Sequence, residues 1–189
     1  MRLLVLDNYD SFTYNLVHLL EELNCNDITV CRNDKITVAE AAHFDKILLS
    51  PGPGIPEEAG ILKPLIQELS TSKSIFGVCL GHQAIAEVFG GTLINLSEVY
   101  HGVPSKLEVI QPESTLFKHL PRTFSVGRYH SWAVSKEHFP KELQITAIDK
   151  EGEVMALQHK TLSVYGVQFH PESVLTEYGR QLVQNWLNS

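Results

Sequence analysis

One cysteine in this sequence sits where it could act as a nucleophile. In Gly77-Val78-Cys79-Leu80-Gly81-His82-Gln83 it separates an apolar run, Ser74–Val78, from a helix-like segment, Leu80–Phe89. A sharp strand-to-helix turn lifts a side chain clear of the backbone, as in a nucleophile elbow. Gly77 and Gly81 let such a turn pack closely. The helix N-terminus turns its positive end toward the sulfur and favours a thiolate. Taken alone, a small buried cysteine is the plainer reading; the flanking glycines and the strand-helix context argue for chemistry.

A base is available later in the chain. Gly166-Val167-Gln168-Phe169-His170-Pro171-Glu172 ends an apolar strand with a histidine and a carboxylate two residues apart. Residues i and i+2 of an extended segment share one face, and Pro171 favours an extended His170. Such a carboxylate fixes the imidazole tautomer and stabilises imidazolium, which leaves the other nitrogen for a nucleophile. Spacing alone does not place His170 beside Cys79. Parallel strands would, because their C-terminal ends share one edge. Ser50-Pro51-Gly52-Pro53-Gly54 follows a strand too, and its stiff backbone could cradle an oxyanion. It lacks the Gly-Lys-Ser/Thr ending of a phosphate loop. Cys79 and His82 have C-x-x-H spacing, but no second ligand pair accompanies them, so neither metal nor cofactor is expected.

The elements that must position these residues alternate in the first half. Strands are expected at Leu3–Asp7, Ile28–Arg32, Lys46–Ser50 and Ser74–Val78. Between them, Phe12, Leu16, Leu19, Leu20 and Leu23 form one helical stripe behind Asp10 and Ser11 as N-cap residues. Thr37-Val38-Ala39-Glu40 has capping-box spacing. A further helix spans Ile61–Leu69, and Gly90-Gly91 ends the one after Cys79. This order implies an α/β fold with a mostly parallel sheet flanked by helices. The second half is mostly strand-like: Thr92–Leu96, Ser105–Ile110, Phe124–Tyr129, Leu143–Asp149, Val154–Gln158 and Ser163–Phe169. Some of these should add antiparallel strands, and Thr176–Leu187 should close the fold as a helix.

Length and charge bound the rest. The 189 residues suggest a single domain over 1–189. Lys and Arg total 15 against 22 Asp and Glu, a net charge of −7. With no basic stripe, nucleic acid is not an expected partner. No apolar run approaches the ~20 residues of a membrane span, and the opening apolar stretch is short for a signal peptide. Three cysteines with no regular spacing suit a reducing cytoplasm better than a disulfide framework.

Together the three motifs resemble those of the class I (triad) glutamine amidotransferases, whose fold is flavodoxin-like. Asp7-Asn-Tyr-Asp-Ser-Phe-Thr-Tyr-Asn-Leu16 is similar to the opening of the component II subunits of anthranilate and aminodeoxychorismate (p-aminobenzoate) synthases. Val99-Tyr-His-Gly102 and Tyr129-His-Ser-Trp132 match family segments as well. Val103 and Trp132 depart from the family, where lysine and leucine are common. The resemblance implies hydrolysis of L-glutamine through a Cys79 thioester, with His170 as base and Glu172 orienting it. Leu80 and Gly54 would supply oxyanion N–H groups. Gly52, Pro53, Gly54, Gln83, Ser131 and Trp132 would contact glutamine. Ammonia would pass to a separate chorismate-binding synthase chain, docked near Asn8, Asp10, Ser11, His101 and Gly102. Two other readings stay open: a stand-alone γ-glutamyl hydrolase of related fold, and a non-catalytic regulatory subunit.

Overall fold

A computed structural model describes residues 1–97 and 99–189. A sheet of nine strands runs through it. Five are parallel: β1 (Leu3–Asp7), β2 (Ile28–Arg32), β3 (Lys46–Leu49), β4 (Ser74–Val78) and β11 (Val164–Val167), in the order β2-β1-β3-β4-β11. β10 (Val154–His159), β9 (Leu143–Asp149), β6 (Val103–Val109) and β7 (Thr123–Arg128) extend it antiparallel beyond β11. β5 (Leu93–Asn95) and β8 (Trp132–Val134) form a separate antiparallel pair. The expected α/β class is therefore present, with the antiparallel additions in the C-terminal half. β8 has no counterpart in the sequence reading, because three residues are too few to show a period.

The alternation of side chains along each strand sorts the core into two faces. Leu3, Val5, Leu48, Phe76 and Val167 meet α1 (Thr13–Glu22) and α5 (Gly179–Leu187) on one face. Leu4, Leu6, Ile47, Leu49 and Ile75 meet α2 (Val38–Ala41), α3 (Leu62–Leu69) and α4 (Leu80–Val88) on the other. Each central strand is apolar on both faces because helices cover both. On α5, Leu182, Val183 and Trp186 are fully buried, each contributing about 1.5–3 kcal/mol. Trp186 packs on Phe76 with ring centroids 5.3 Å apart.

The helix boundaries show which local signals prevailed. The Thr37–Glu40 capping box forms in full: Thr37 Oγ1 accepts from Glu40 N, and Glu40 Oε2 accepts from Thr37 N at 2.8 Å. Asp10 and Ser11 do not cap α1. Phe12 holds that position, and Asp10 Oδ1 instead accepts from Phe12 N at 2.8 Å in a turn one step earlier. α5 begins at Gly179, three residues later than expected. Thr176 is occupied elsewhere: its hydroxyl donates to His170 O at 2.6 Å and accepts from Gly127 N at 3.0 Å.

Close backbone packing sets the turn between β4 and α4. A Cβ on Gly77 would lie 2.4 Å from the Gly81 carbonyl carbon, and one on Gly81 would lie 2.7 Å from Leu49 O. Behind that turn, the fully buried His82 ring packs against Gly166, where an added Cβ would lie 2.9 Å from Nδ1. Burial pushes the pKa of His82 down to about 3. Burial, then the Arg128 charge, does the same to His130.

Gly77→Ala forces α4 off the sheet, so overpacking should cost about 1–3 kcal/mol, measured as a lower denaturant midpoint. The two neutral histidines set an acid limb. Their folded pKa values lie below the unfolded value, so their contribution is complete above about pH 6.5 and is lost as pH falls toward 3. Denaturant titrations between pH 7 and 5 should show stability falling with pH, at up to about 1.4 kcal/mol per unit for each proton taken up on unfolding. Substituting both histidines with apolar residues should flatten this limb.

Candidate active site

The parallel pairing of β4 and β11 aligns Gly77 with Gly166 and Val78 with Val167. Both chains then leave the sheet at one edge, where Cys79 N donates to Val167 O at 2.8 Å. Cys79 has φ 52° and ψ −99°. A non-glycine residue at positive φ stores strain and persists only where its surroundings enforce it. The β4–α4 packing described above is that enforcement, and it yields the expected elbow. Cys79 is 6% exposed. Leu80, the first residue of α4, carries one of the N–H groups that have no acceptor inside a helix.

His170 and Glu172 meet, but in a turn rather than the extended segment expected: the strand ends at Val167, and Ser173 N donates to His170 O at 3.2 Å. His170 Nδ1 and Glu172 Oε1 are 2.7 Å apart, both side chains almost fully buried. Burial by itself lowers the His170 pKa. Interaction with Cys79, then the Glu172 hydrogen bond and charge, outweigh burial and raise it to about 10. Phe12 and Tyr129 flank the imidazole, with centroids 5.3 and 4.8 Å from it. Phe12, expected in the α1 core stripe, is thus placed against His170 instead. His170 N donates to Gly127 O at 3.1 Å, which ties this loop to β7.

A cavity of about 180 Å³ opens over the sulfur. That is below the ~300–1,000 Å³ of pockets for drug-sized ligands, and suits one small metabolite. Gly52, Pro53 and Gly54 form one wall; Gln83, Ser131 and Trp132 line it from other elements. All six residues expected to contact glutamine therefore border one space with Cys79. Gly54 has φ +70°, and a Cβ on Gly52 would lie 2.7 Å from both Asn8 O and Leu80 Cδ2. The Ser50–Gly54 loop thus sits on the start of α4, close to Leu80.

Gln83 is buried: its Nε2 donates to Trp132 O at 2.9 Å and to Gln168 Oε1 at 3.1 Å. Gln168 Nε2 in turn lies 3.5 Å from Cys79 Sγ. Gln168 follows directly on the last residue of β11, beside the strand end that carries Cys79, so its place in the motif could have singled it out. Tyr129 and His130, which also line the cavity, carried no such signal.

Asn8 departs from the surface position expected of it. It is 2% exposed and fully engaged. Its backbone N donates to Ser50 Oγ at 2.9 Å, its Nδ2 to Ser50 O at 2.8 Å, and its Oδ1 accepts from Asn33 Nδ2 at 3.0 Å. Asn8 therefore pins the Ser50–Gly54 loop, and is not a free contact for another chain. Ser11 and His101 are exposed, and Asp10 and Gly102 half-buried. His101 packs edge-on to Tyr129 at 6.4 Å, so the surface near Gly102 is one ring away from His170. Among the described residues, no group of three or more His, Cys, Asp or Glu could hold a metal ion. Among the same residues, no helix is long and apolar enough to cross a membrane.

Comparison with known proteins follows the same lines. The family model of class-I glutamine amidotransferases matches residues 4–189. The chain is 46% identical to anthranilate synthase component 2 of Cyanophora paradoxa, covering 98% of each chain. It is 44% identical to aminodeoxychorismate/anthranilate synthase component 2 of Bacillus subtilis, covering 99% of this chain and 96% of that one. The crystal structure of a glutamine amidotransferase from Thermotoga maritima superposes with a TM-score of 0.81 at 14% identity, covering 100% of this chain and 96% of that one. That last likeness concerns the fold alone. A family match over nearly the whole sequence, with relatives this similar end to end, means that the chain belongs to the class-I glutamine amidotransferases.

Proposed function

We propose that this chain is the glutaminase component of a chorismate-aminating synthase. It hydrolyses L-glutamine and delivers the ammonia to a separate chorismate-binding synthase subunit. The observation that carries this reading is the sulfur of Cys79 at a cavity of one small metabolite's size, beside His170 backed by Glu172. The relatives supply the branch. One is named for anthranilate synthase, and another for aminodeoxychorismate and anthranilate synthases together. A chain of this kind serves either aminating subunit.

In the mechanism, the Cys79 thiolate attacks the side-chain amide carbon of glutamine, forming the C–S bond. The carbonyl oxygen takes up negative charge and is met by the Leu80 N–H and an N–H of the Gly52–Gly54 loop. A lost donor of this kind costs about 3–4 kcal/mol in the transition state. His170, protonated at rest, gives its proton to the departing nitrogen, and the C–N bond breaks to release ammonia. The neutral ring then takes a proton from water as its oxygen attacks the thioester. Glutamate leaves, and the proton returns the site to thiolate and imidazolium. Glu172 holds the ring in one tautomer throughout. Gln83, Ser131 and Trp132 hold the amino-acid end of the substrate. Ammonia must pass directly to the partner, because bulk water would protonate and dilute it. Ser11, His101 and Gly102 lie on the face where that partner docks.

Reconstitution with each aminating subunit, chorismate and glutamine tests the reading, with the product identified by mass spectrometry. Cys79→Ala should reduce glutamine-dependent product to background and leave ammonia-dependent product unchanged; retained glutamine-dependent product removes Cys79 from the mechanism. Hydrolysis at full rate with no partner present would favour a stand-alone hydrolase. In a serine-protease triad, loss of the orienting carboxylate costs about 10⁴-fold and loss of the base about 10⁶-fold. On that pattern Glu172→Gln should retain roughly a hundredfold more kcat than His170→Ala, and steady-state kinetics of the complex read the ratio directly.

A further inference from the structure

The mechanism above leaves one buried group at the sulfur unused. Gln168 is fully buried, and its side-chain nitrogen lies 3.5 Å from Cys79 Sγ. We propose that Gln168 is a further catalytic residue, whose side-chain N–H donates to the Cys79 thiolate, and that Gln83 and Trp132 O fix the amide in the orientation that makes this possible. The proposal rests on the glutaminase reading, since it assigns a role at the same sulfur.

The orientation follows from donor and acceptor types alone. A buried glutamine amide can sit either way round, and only its partners decide which. Trp132 O is a carbonyl and can only accept, so Gln83 must turn its nitrogen toward it, at 2.9 Å. That same nitrogen lies 3.1 Å from the Gln168 side chain, which must therefore present its oxygen. Gln168 is left with its nitrogen facing the sulfur. The anchor carbonyl is itself held. His130 Nδ1 donates to Trp132 O at 2.8 Å, and His130 Nε2 accepts from Arg128 Nε at 3.1 Å. Arg128 is locked by a buried ion pair with Asp149 and lies over the Tyr100 ring at 3.6 Å. A network of hydrogen bonds thus runs from a buried ion pair to the cavity wall, with His130 and Gln83 both donating to the Trp132 carbonyl.

A thiolate accepts a hydrogen bond far better than a thiol does, so a donor fixed at the sulfur favours the charged nucleophile. Several titratable groups surround the site. His170, backed by Glu172, faces the sulfur from the loop after β11; Tyr129 and His130 line the cavity from the β7–β8 segment. His82 lies on α4 against Gly166, with Arg128 and Asp149 beyond His130. Burial keeps His82 and His130 neutral above about pH 3.

The test is the pH dependence of Cys79 alkylation by iodoacetamide in the full chain. Peptide mass spectrometry separates Cys79 from Cys25 and Cys31. Gln168→Met keeps the side-chain length and removes the donor. It should raise the pH of half-maximal alkylation by about one unit, a tenfold smaller thiolate fraction. Gln168→Glu puts a carboxylate beside the sulfur and should raise it further. A folded Gln168→Met variant with an unmoved midpoint overturns the proposal, because losing a side chain that only packs would leave the midpoint where it is. If neither variant folds, the wild-type chain decides. With glutamine side chains ¹⁵N-labelled, the Gln168 amide resonances should move with the Cys79 titration; resonances that ignore it overturn the proposal. Loss of the glutaminase reading would look different: Cys79→Ala would retain glutamine hydrolysis, whatever Gln168 does.

Discussion

The site depends on the parallel pairing of β4 with β11. These strands are distant in sequence, yet their registered ends place Cys79 and Gln168 side by side and bring His170 within reach. Neither half of the constellation can work alone. A cysteine at an elbow without a base is a strained thiol, and a histidine-glutamate pair without a nucleophile is a buried ion pair with nothing to activate. Closing so long a loop costs chain entropy. The two apolar layers on either side of the central strands supply what holds it closed.

Around this pairing, the structure fixes backbone before it fixes side chains. Cys79 keeps a left-handed conformation because Gly77 and Gly81 leave no room for α4 to relax. The Ser50–Gly54 loop is held from behind by Asn8, which satisfies Ser50 on its carbonyl and hydroxyl. Thr176 gives up a place in α5 to hold the carbonyl of His170. In the last two cases a polar side chain that could have faced water or capped a helix is spent on holding a loop at the edge of the cavity. Such prior positioning is what lets an enzyme stabilise developing charge without reorganising at the moment of reaction.

The polar interior on the β7–β9 side has a similar logic. Breaking a buried ion pair such as Arg128–Asp149 by removing one partner typically costs about 3–5 kcal/mol, because it strands the other charge. The pair is retained next to a neutral His130, and together they polarise the carbonyl of Trp132. The family departure at Trp132 is accommodated because the carbonyl, a group every residue carries, makes these contacts. Val103, the other departure, lies exposed at the start of β6, pairing with Arg128.

Much of this was legible in the sequence, and the reason is locality. The elbow, the Thr37 capping box, the Gly-Pro loop and the His170–Glu172 pair are each written within a few residues, where backbone geometry dictates which groups meet. Strand alternation likewise fixed the class of fold and the two faces of the core. Other features were decided only by tertiary contacts. Asn8 sits in a polar loop that reads as surface, and becomes buried because Ser50 and Asn33 close over it. Phe12 fits the stripe of α1 but turns to His170 because the helix begins after it. The orientation of Gln168 depends on a carbonyl on a strand too short to foresee. The sequence determined which family the chain belongs to, because the elbow cysteine, the Gly-Pro loop and the His-Glu pair are local motifs. The tertiary structure decided which way each supporting group faces, because hydrogen-bond direction is set by partners that only the folded chain brings together.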